Sequence, residues 1–220
     1  SSWCSESEAT YRWVDDVISE VAAMTPGPWI HIGGDEANAT SPQAYAAFIP
    51  RALDIVRVHG KTPIGWEEVG TVPSAEPLLI QHWLSGDTAS AGAAQGANVI
   101  MSPAPQTYLD MKYGEASPFG NSWAGFIDTE QAYGWDPDQQ VPGLDPAQVL
   151  GVEAPLWTEF VETPEQMQLM LLPRLPALAE VAWSASESRG WPSFIDRVQT
   201  HTTWWDAAGL AWTADPSIKS

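Results

Sequence analysis

Between Glu8 and Met24 the apolar positions recur every three to four residues. Val14, Val17, Ile18 and Val21 fall on one face there, and the spacing predicts an amphipathic helix. Pro26-Gly27-Pro28 breaks it. The run Trp29–Gly33 is short and apolar and reads as a buried strand. Ser41-Pro42 has the form of a helix N-cap followed by proline at the first helical position. That helix should run to Val58 and stop at Gly60, with Pro50 kinking or dividing it. Thr62–Trp66, Leu78–Trp83 and Asn98–Ser102 read as strands, with a short alanine-rich helix over Asp87–Ala94. From about Pro103 to Asp145 the chain is rich in glycine, proline and aromatics, a length of loop that commonly serves a binding site. Leu150–Trp157 is the last predicted strand. Thr163-Pro164 opens a long helix interrupted at Pro173 and Pro176, and Trp191–Ala207 is the last helix.

Five strands alternating with helices imply a parallel sheet. Two architectures satisfy that pattern, an open doubly wound sheet and part of a (β/α)8 barrel. In a barrel the functional groups gather at the C-terminal ends of the strands. The expected strand ends carry Asp35 and Glu36, Trp66 with Glu67 and Glu68, Trp83, Tyr108 with Asp110, and Trp157 with Glu159. No Rossmann glycine fingerprint or phosphate loop follows the early strands, which counts against nucleotide binding. Gly33-Gly34 precedes two adjacent carboxylates, Asp35 and Glu36. Glycines permit a sharp turn and close approach of a ligand. Neighbouring acids on a regular strand point to opposite faces, whereas beyond its end both can lean into one cavity. His31 and His82 read as satisfied core histidines, Glu153 as structural, and Glu67 and Glu68 take no assigned role.

Composition narrows the function. The 220 residues suffice for one substantial domain, and a net charge of −19 with nine basic residues argues against nucleic acid and anionic membrane surfaces. No apolar run is long enough to cross a bilayer as a helix. Without an initiator Met or leader, the chain is expected to begin after processing or partway through a longer protein. The single Cys4 has no internal disulfide partner and reads as a small buried or free thiol, unless an upstream cysteine pairs with it. Of the 13 tryptophans, Trp13, Trp183 and Trp205 are expected in the core. Others at strand ends suit a sugar, whose C–H faces pack on flat rings. No His/Cys spacing fits zinc, and the acids do not form a calcium loop.

The motifs also resemble a known family. His31-Ile32-Gly33-Gly34-Asp35-Glu36 is similar to the signature of family 20 glycoside hydrolases, the β-N-acetylhexosaminidases. The resemblance continues in family order through Gly65-Trp66-Glu67-Glu68, Gln81-His82-Trp83, Ser102-Pro103-Ala104 and Tyr108-Leu109-Asp110-Met111-Lys112-Tyr113. It ends at Gly151-Val152-Glu153-Ala154-Pro155-Leu156-Trp157-Thr158-Glu159 and Pro173-Arg174-Leu175-Pro176. It is nearest to the secreted actinobacterial enzymes, which implies a secreted protein. The implied fold is an α/β (β/α)8 TIM barrel, of which residues 1–220 supply strands four to eight. The first three strand–helix units and the small α/β domain that usually precedes them are then expected in an N-terminal segment of the same protein. The family's sugar-binding arginine and two groups that support its acid would lie there too.

The resemblance implies a retaining exo-acting enzyme that removes terminal β-linked GlcNAc or GalNAc from oligosaccharides or glycoconjugates, with no cofactor or metal. Catalysis would be substrate-assisted, through an oxazolinium intermediate formed by the sugar's own acetamido oxygen. Glu36 would protonate the leaving oxygen and then activate water. Asp35 would accept the acetamido N–H, and Tyr108 would bond the acetamido oxygen. Trp66, Trp83 and Trp157 would enclose the sugar, and Asp110 and Glu159 would bind its hydroxyls. Three other readings stand beside this one: a lacto-N-biosidase of the same family releasing a disaccharide, a non-catalytic sugar-binding protein, and an inactive fragment that needs its N-terminal half.

Overall fold

The computed structural model describes residues 4–74, 76 and 78–218. Their elements run in the expected order: α1 (Glu8–Met24), β1 (Trp29–His31), α2 (Pro42–Val58), β2 (Thr62–Trp66), β3 (Leu79–His82), α3 (Gly86–Ala94) and β4 (Asn98–Met101). The short helices α4 (Ala104–Thr107) and α5 (Thr129–Tyr133) interrupt the long loop region, and β5 (Val149–Val152) follows. The last helices are α6 (Pro164–Leu171), α7 (Arg174–Trp183) and α8 (Trp191–Ala207). The sheet order is β1-β2-β3-β4-β5, and the β1/β2 and β2/β3 pairs are parallel. This succession of parallel strands and covering helices is the α/β barrel type, in five strand–helix units. The chain divides into two compact units, Ser1–Ile100 with Val141–Leu150, and Met101–Gln140 with Gly151–Ser220.

In the first unit, α2 begins as its sequence dictates. Ser41 Oγ accepts from Ala44 N and Pro42 takes the first helical position. Pro50 does not divide this helix. Ile49, Ala52, Leu53 and Val56 are all buried on one face, and that burial carries the helix past the one missing backbone donor. Gly60 follows with φ +73°, as a helix stop requires. Helix α1 packs on α2 through Tyr11 against Phe48 and a bidentate Arg51–Glu8 pair. Its stripe of Val14, Val17, Ile18 and Val21 is only partly covered, and Trp13, expected in the core, is 50 % exposed and lines a cavity. The strand β1 is shorter than expected, and only Ile30 in it is buried. Cys4 is exposed.

In the second unit, Pro173 separates α6 from α7, because the residue before a proline avoids helical geometry. Pro176 does not interrupt α7; it sits in the first turn, where its missing N–H has no intrahelical partner to lose. The buried face of α7 is Arg174, Ala177, Leu178 and Val181. Trp183 falls off that stripe and is 92 % exposed, against the expectation that it is core, whereas Trp205 on α8 is buried. The expected last strand is also cut short. The strand ends at Val152, one further bond joins Glu153 N to Met101 O, and residues 153–158 run on without regular structure through Pro155, which has no N–H to offer a ladder.

Candidate active-site residues

Within the first unit, strand pairing continues one step past β1. Ile32 N donates to Ile64 O at 2.8 Å and Trp66 N donates to Gly33 O at 2.9 Å. The backbone then turns through Gly33 (φ +75°), Gly34 (φ +101°) and Glu36 (φ +47°). A left-handed conformation at a non-glycine residue costs about 1–2 kcal/mol, so its occurrence at Glu36 is an outlier worth a function. The turn is fixed by its neighbours. Tyr45 Oη donates to Gly34 O at 2.7 Å, and Asn38 N donates to Glu36 O at 2.7 Å. Burial pushes the Tyr45 phenol upward, helped by the charges of Glu68 and Asp35, which keeps it a donor. Asp35 and Glu36 are both exposed at the tip, and Glu36 borders two cavities. One, of about 650 Å³, also carries Trp13, Val17, His31 and Asp35. The other, of about 580 Å³, carries Asn38, Tyr45, Glu68, Trp83 and Leu84.

Gly34 tolerates nothing larger. A Cβ there would stand 2.4 Å from Val69 Cγ2, and the positive φ adds strain. Gly34→Ala should therefore destabilise the protein by about 2–4 kcal/mol, whereas Gly27→Ala, with open space around it, should not; denaturant midpoints of the two variants check this.

His31 is not the core histidine expected. The residue is exposed and lines the first cavity, and its ring meets Trp66 edge-on at 5.1 Å. Gly33 N donates to His31 Nδ1 at 3.0 Å. Desolvation lowers the imidazole pKa, opposed by Asp35 and Gln81, which favours a neutral ring with Nδ1 as acceptor. Trp66 in turn meets Trp83 at 6.3 Å, so His31, Trp66 and Trp83 form a row of edge contacts. Glu68 accepts from Trp83 Nε1 at 3.2–3.3 Å. Burial raises the Glu68 carboxyl pKa; hydrogen bonds from its own backbone and from Trp83 lower it, and Glu67 and Asp35 raise it. His82 meets the core expectation: its ring is buried against Glu67.

In the second unit, Tyr108 and Asp110 lie beyond α4 rather than at a strand tip. Tyr108 is buried, its ring T-shaped against Trp123 at 5.8 Å and tilted against Trp157 at 6.0 Å. Leu109 N donates to Pro155 O at 2.8 Å, which ties this segment to the one carrying Trp157. Asp110 is buried, and its Oδ1 has no hydrogen-bond partner among the described residues. Burial raises its pKa; backbone amides of Asp110 and Trp157 and the Arg174 charge offset this in part, and Glu159 adds to it. Glu159 and Trp157 are exposed, and Asn121 Nδ2 donates to Glu159 Oε2 at 3.4 Å. A buried acid with a vacant acceptor beside a second, open carboxylate is a set that can receive hydroxyl groups. Glu153 serves through its backbone, with N donating to Met101 O and O accepting from Ser102 Oγ.

The sequence reading had no role for Arg174. Its side chain is fully buried and donates to Leu109 O (2.6 Å), Met111 O (2.7 Å), Ile127 O (3.0 Å) and Met170 O (2.9 Å), with its guanidinium 3.8 Å from the Tyr113 ring centre. It therefore holds the backbone on either side of Asp110. A signal was present: Arg174 falls in register with Ala177, Leu178 and Val181, a charge on an apolar helical stripe. Among the described residues no group of three or more His, Cys, Asp or Glu side chains is arranged to hold a metal ion.

The chain is also similar to known proteins over its whole length. The profile of glycosyl hydrolase family 20, catalytic domain, matches residues 1–186. The chain is 42 % identical over 213 residues to a β-N-acetylhexosaminidase of Cellulomonas fimi, covering 96 % of this chain and 43 % of that protein. The solved β-N-acetylhexosaminidase of Streptomyces coelicolor A3(2) superposes with a TM-score of 0.96 at 39 % identity, over 100 % of this chain and 46 % of that one. The Streptomyces plicatus N-acetyl-β-hexosaminidase bound to Thio-NAglucal superposes with a TM-score of 0.96 at 40 % identity, over 100 % and 45 %. The chain thus spans less than half the length of these relatives.

Proposed function

This chain belongs to glycosyl hydrolase family 20, and on that premise we propose that the working protein is a retaining exo-β-N-acetylhexosaminidase that removes terminal β-linked GlcNAc or GalNAc. The observation that carries the reading is the turn after β1, where Asp35 and Glu36 stand side by side on a backbone that passes through positive φ at Gly33, Gly34 and Glu36. In this reading the acetamido oxygen of the sugar attacks its own anomeric carbon as the glycosidic bond breaks. Glu36 gives its proton to the departing oxygen and then takes one from the water that opens the oxazolinium ring. Asp35 accepts the acetamido N–H and stabilises the positive charge that develops there. Tyr108 donates to the acetamido oxygen and aims it, since an intramolecular nucleophile gains most when its position is fixed. Trp66, Trp83 and Trp157 pack on the apolar surfaces of the sugar, and Asp110 and Glu159 receive its hydroxyls.

The proposal includes an N-terminal segment of the same protein carrying the earlier barrel units; the coverage of less than half of each relative supports it. It also places the enzyme outside the cell, on the resemblance to secreted actinobacterial enzymes. The test compares an aryl β-GlcNAc with the matching aryl β-glucoside and follows the first-formed sugar by proton NMR. The expected result is hydrolysis of the N-acetyl substrate alone, with the β-anomer appearing first. Equal turnover of the glucoside, or an α-anomer first, rules out an acetamido nucleophile.

A further inference from the structure

Glu67 and Glu68 are adjacent in sequence and have opposite fates. Glu67 opens a 3-10 turn over Glu67–Thr71 and buries its carboxylate, while Glu68 borders the cavity shared with Glu36. The side chains of His82 and Glu67 are only 3 % and 2 % exposed, and His82 Nδ1 lies 2.6 Å from Glu67 Oε2. Three successive backbone amides also donate to Glu67: Trp83 N (3.0 Å) and Leu84 N (3.4 Å) to Oε2, and Ser85 N (2.5 Å) to Oε1. The three amides donate to both carboxylate oxygens, and the His82 ring closes the fourth side. Ser85 is the N-cap of α3, and its Oγ accepts from Thr88 N at 3.2 Å. Glu67 thereby fixes the backbone from the end of β3 into α3, the stretch that carries Trp83. From the cavity side, Glu68 receives Trp83 Nε1–H and sets the rotation of the ring. The backbone and the ring of one tryptophan are thus held by two consecutive carboxylates.

We propose that Glu67 and Glu68 are positioning residues for Trp83, the first anchoring its backbone and the second orienting its indole, so that the ring presents a fixed wall to the substrate. The inference rests on the reading of Trp83 as a sugar-packing residue. Its effect reaches beyond that ring, because Trp83 meets Trp66 and Trp66 meets His31 beside the Asp35–Glu36 turn. In this proposal Glu68 supplies a hydrogen bond rather than a charge, and this distinguishes it from an electrostatic partner of Asp35.

The experiment reads the Trp83 indole N–H resonance in protein labelled with nitrogen-15, assigned by its loss in Trp83→Phe, together with KM and kcat on an aryl β-GlcNAc. Glu68→Ala should move or broaden that resonance and raise KM about tenfold with a smaller change in kcat, as for one lost aromatic contact. Glu68→Gln should restore both, because an amide oxygen accepts the same indole N–H. Glu67→Gln should also displace the resonance, since the backbone amides donate to both carboxylate oxygens and an NH2 in either place must face at least one of them. If Glu67→Gln fails to fold, the Glu68 pair decides alone. An unmoved indole signal in Glu68→Ala, or a Gln variant as impaired as the Ala variant, overturns the proposal. An inactive wild type would instead count against the hydrolase reading, and the indole signal still reports on positioning.

Discussion

Glu36→Gln should lower kcat on N-acetyl-β-glycosides by about 10²–10⁴-fold, the range that a positioned proton donor contributes. The folded state should barely notice. The substitution keeps the length and shape of the side chain, Glu36 is exposed, and no partner is lost from the core. Backbone strain at φ +47° is common to both residues. The loss should depend on the leaving group. Alkyl and sugar aglycones need the proton most, whereas a nitrophenolate leaves with less help, so its bond-breaking step should suffer less. In the proposed mechanism water attack on the intermediate would need Glu36 as base for every substrate, so no aglycone should rescue full turnover. Steady-state kinetics on nitrophenyl and methyl β-GlcNAc, with thermal melts of both proteins, provide the check. Turnover at the wild-type rate would remove Glu36 from the role.

The local grammar of the chain was readable wherever one short signal decided the outcome. Ser41-Pro42 marks the start of α2 and Gly60 its end, and α1, β2 and α8 occupy the ranges that periodicity and breakers predict. Pro50 and Pro176 show the limit of that grammar. The same residue type that ends α6 is absorbed inside α2 by a buried face and inside α7 by its place in the first turn. Burial was less readable still. Trp13 and Trp183 are large and apolar, yet the faces they stand on are a cavity wall and the solvent side of α7. The acids at the turn after β1 could be read because two glycines announce a break in the strand. The work of Glu67 could not, because its partners lie 15–18 residues away on β3 and the approach to α3. Tyr108 and Asp110 come from a loop whose path is set by Arg174, 64 positions beyond Asp110, and no local pattern encodes that contact.

Arg174→Met should cost about 3–5 kcal/mol of stability, the largest structural effect expected in the chain. The methionine removes the charge and fills similar space, so the loss measures the hydrogen bonds rather than a cavity. Three carbonyls, of Leu109, Met111 and Ile127, take their hydrogen bond from this guanidinium, and Met170 O shares it with Tyr113 Oη. Each buried acceptor left without a donor costs about 1–3 kcal/mol, partly offset because the desolvation penalty of the arginine also disappears. That penalty is real, since burial lowers the Arg174 pKa from its usual value, against the favourable influence of Tyr113, Asp215 and Asp110. Arg174→Lys should recover only part of the loss, because a single ammonium offers three donors without the planar fork that reaches carbonyls on two sides. A domain holds about 5–15 kcal/mol in total, so Arg174→Met should remain folded at low temperature with a clearly lowered denaturant midpoint. In that window the consequence for binding can be read. Leu109 and Met111 flank Asp110, so releasing their carbonyls should loosen the acid and its neighbour Tyr108 together and weaken binding of an N-acetyl sugar more than of its 2-hydroxy analogue. A midpoint equal to that of the wild type would mean that the carbonyls find other donors, and that the loop from Tyr108 to Ile127 is held by something other than this arginine.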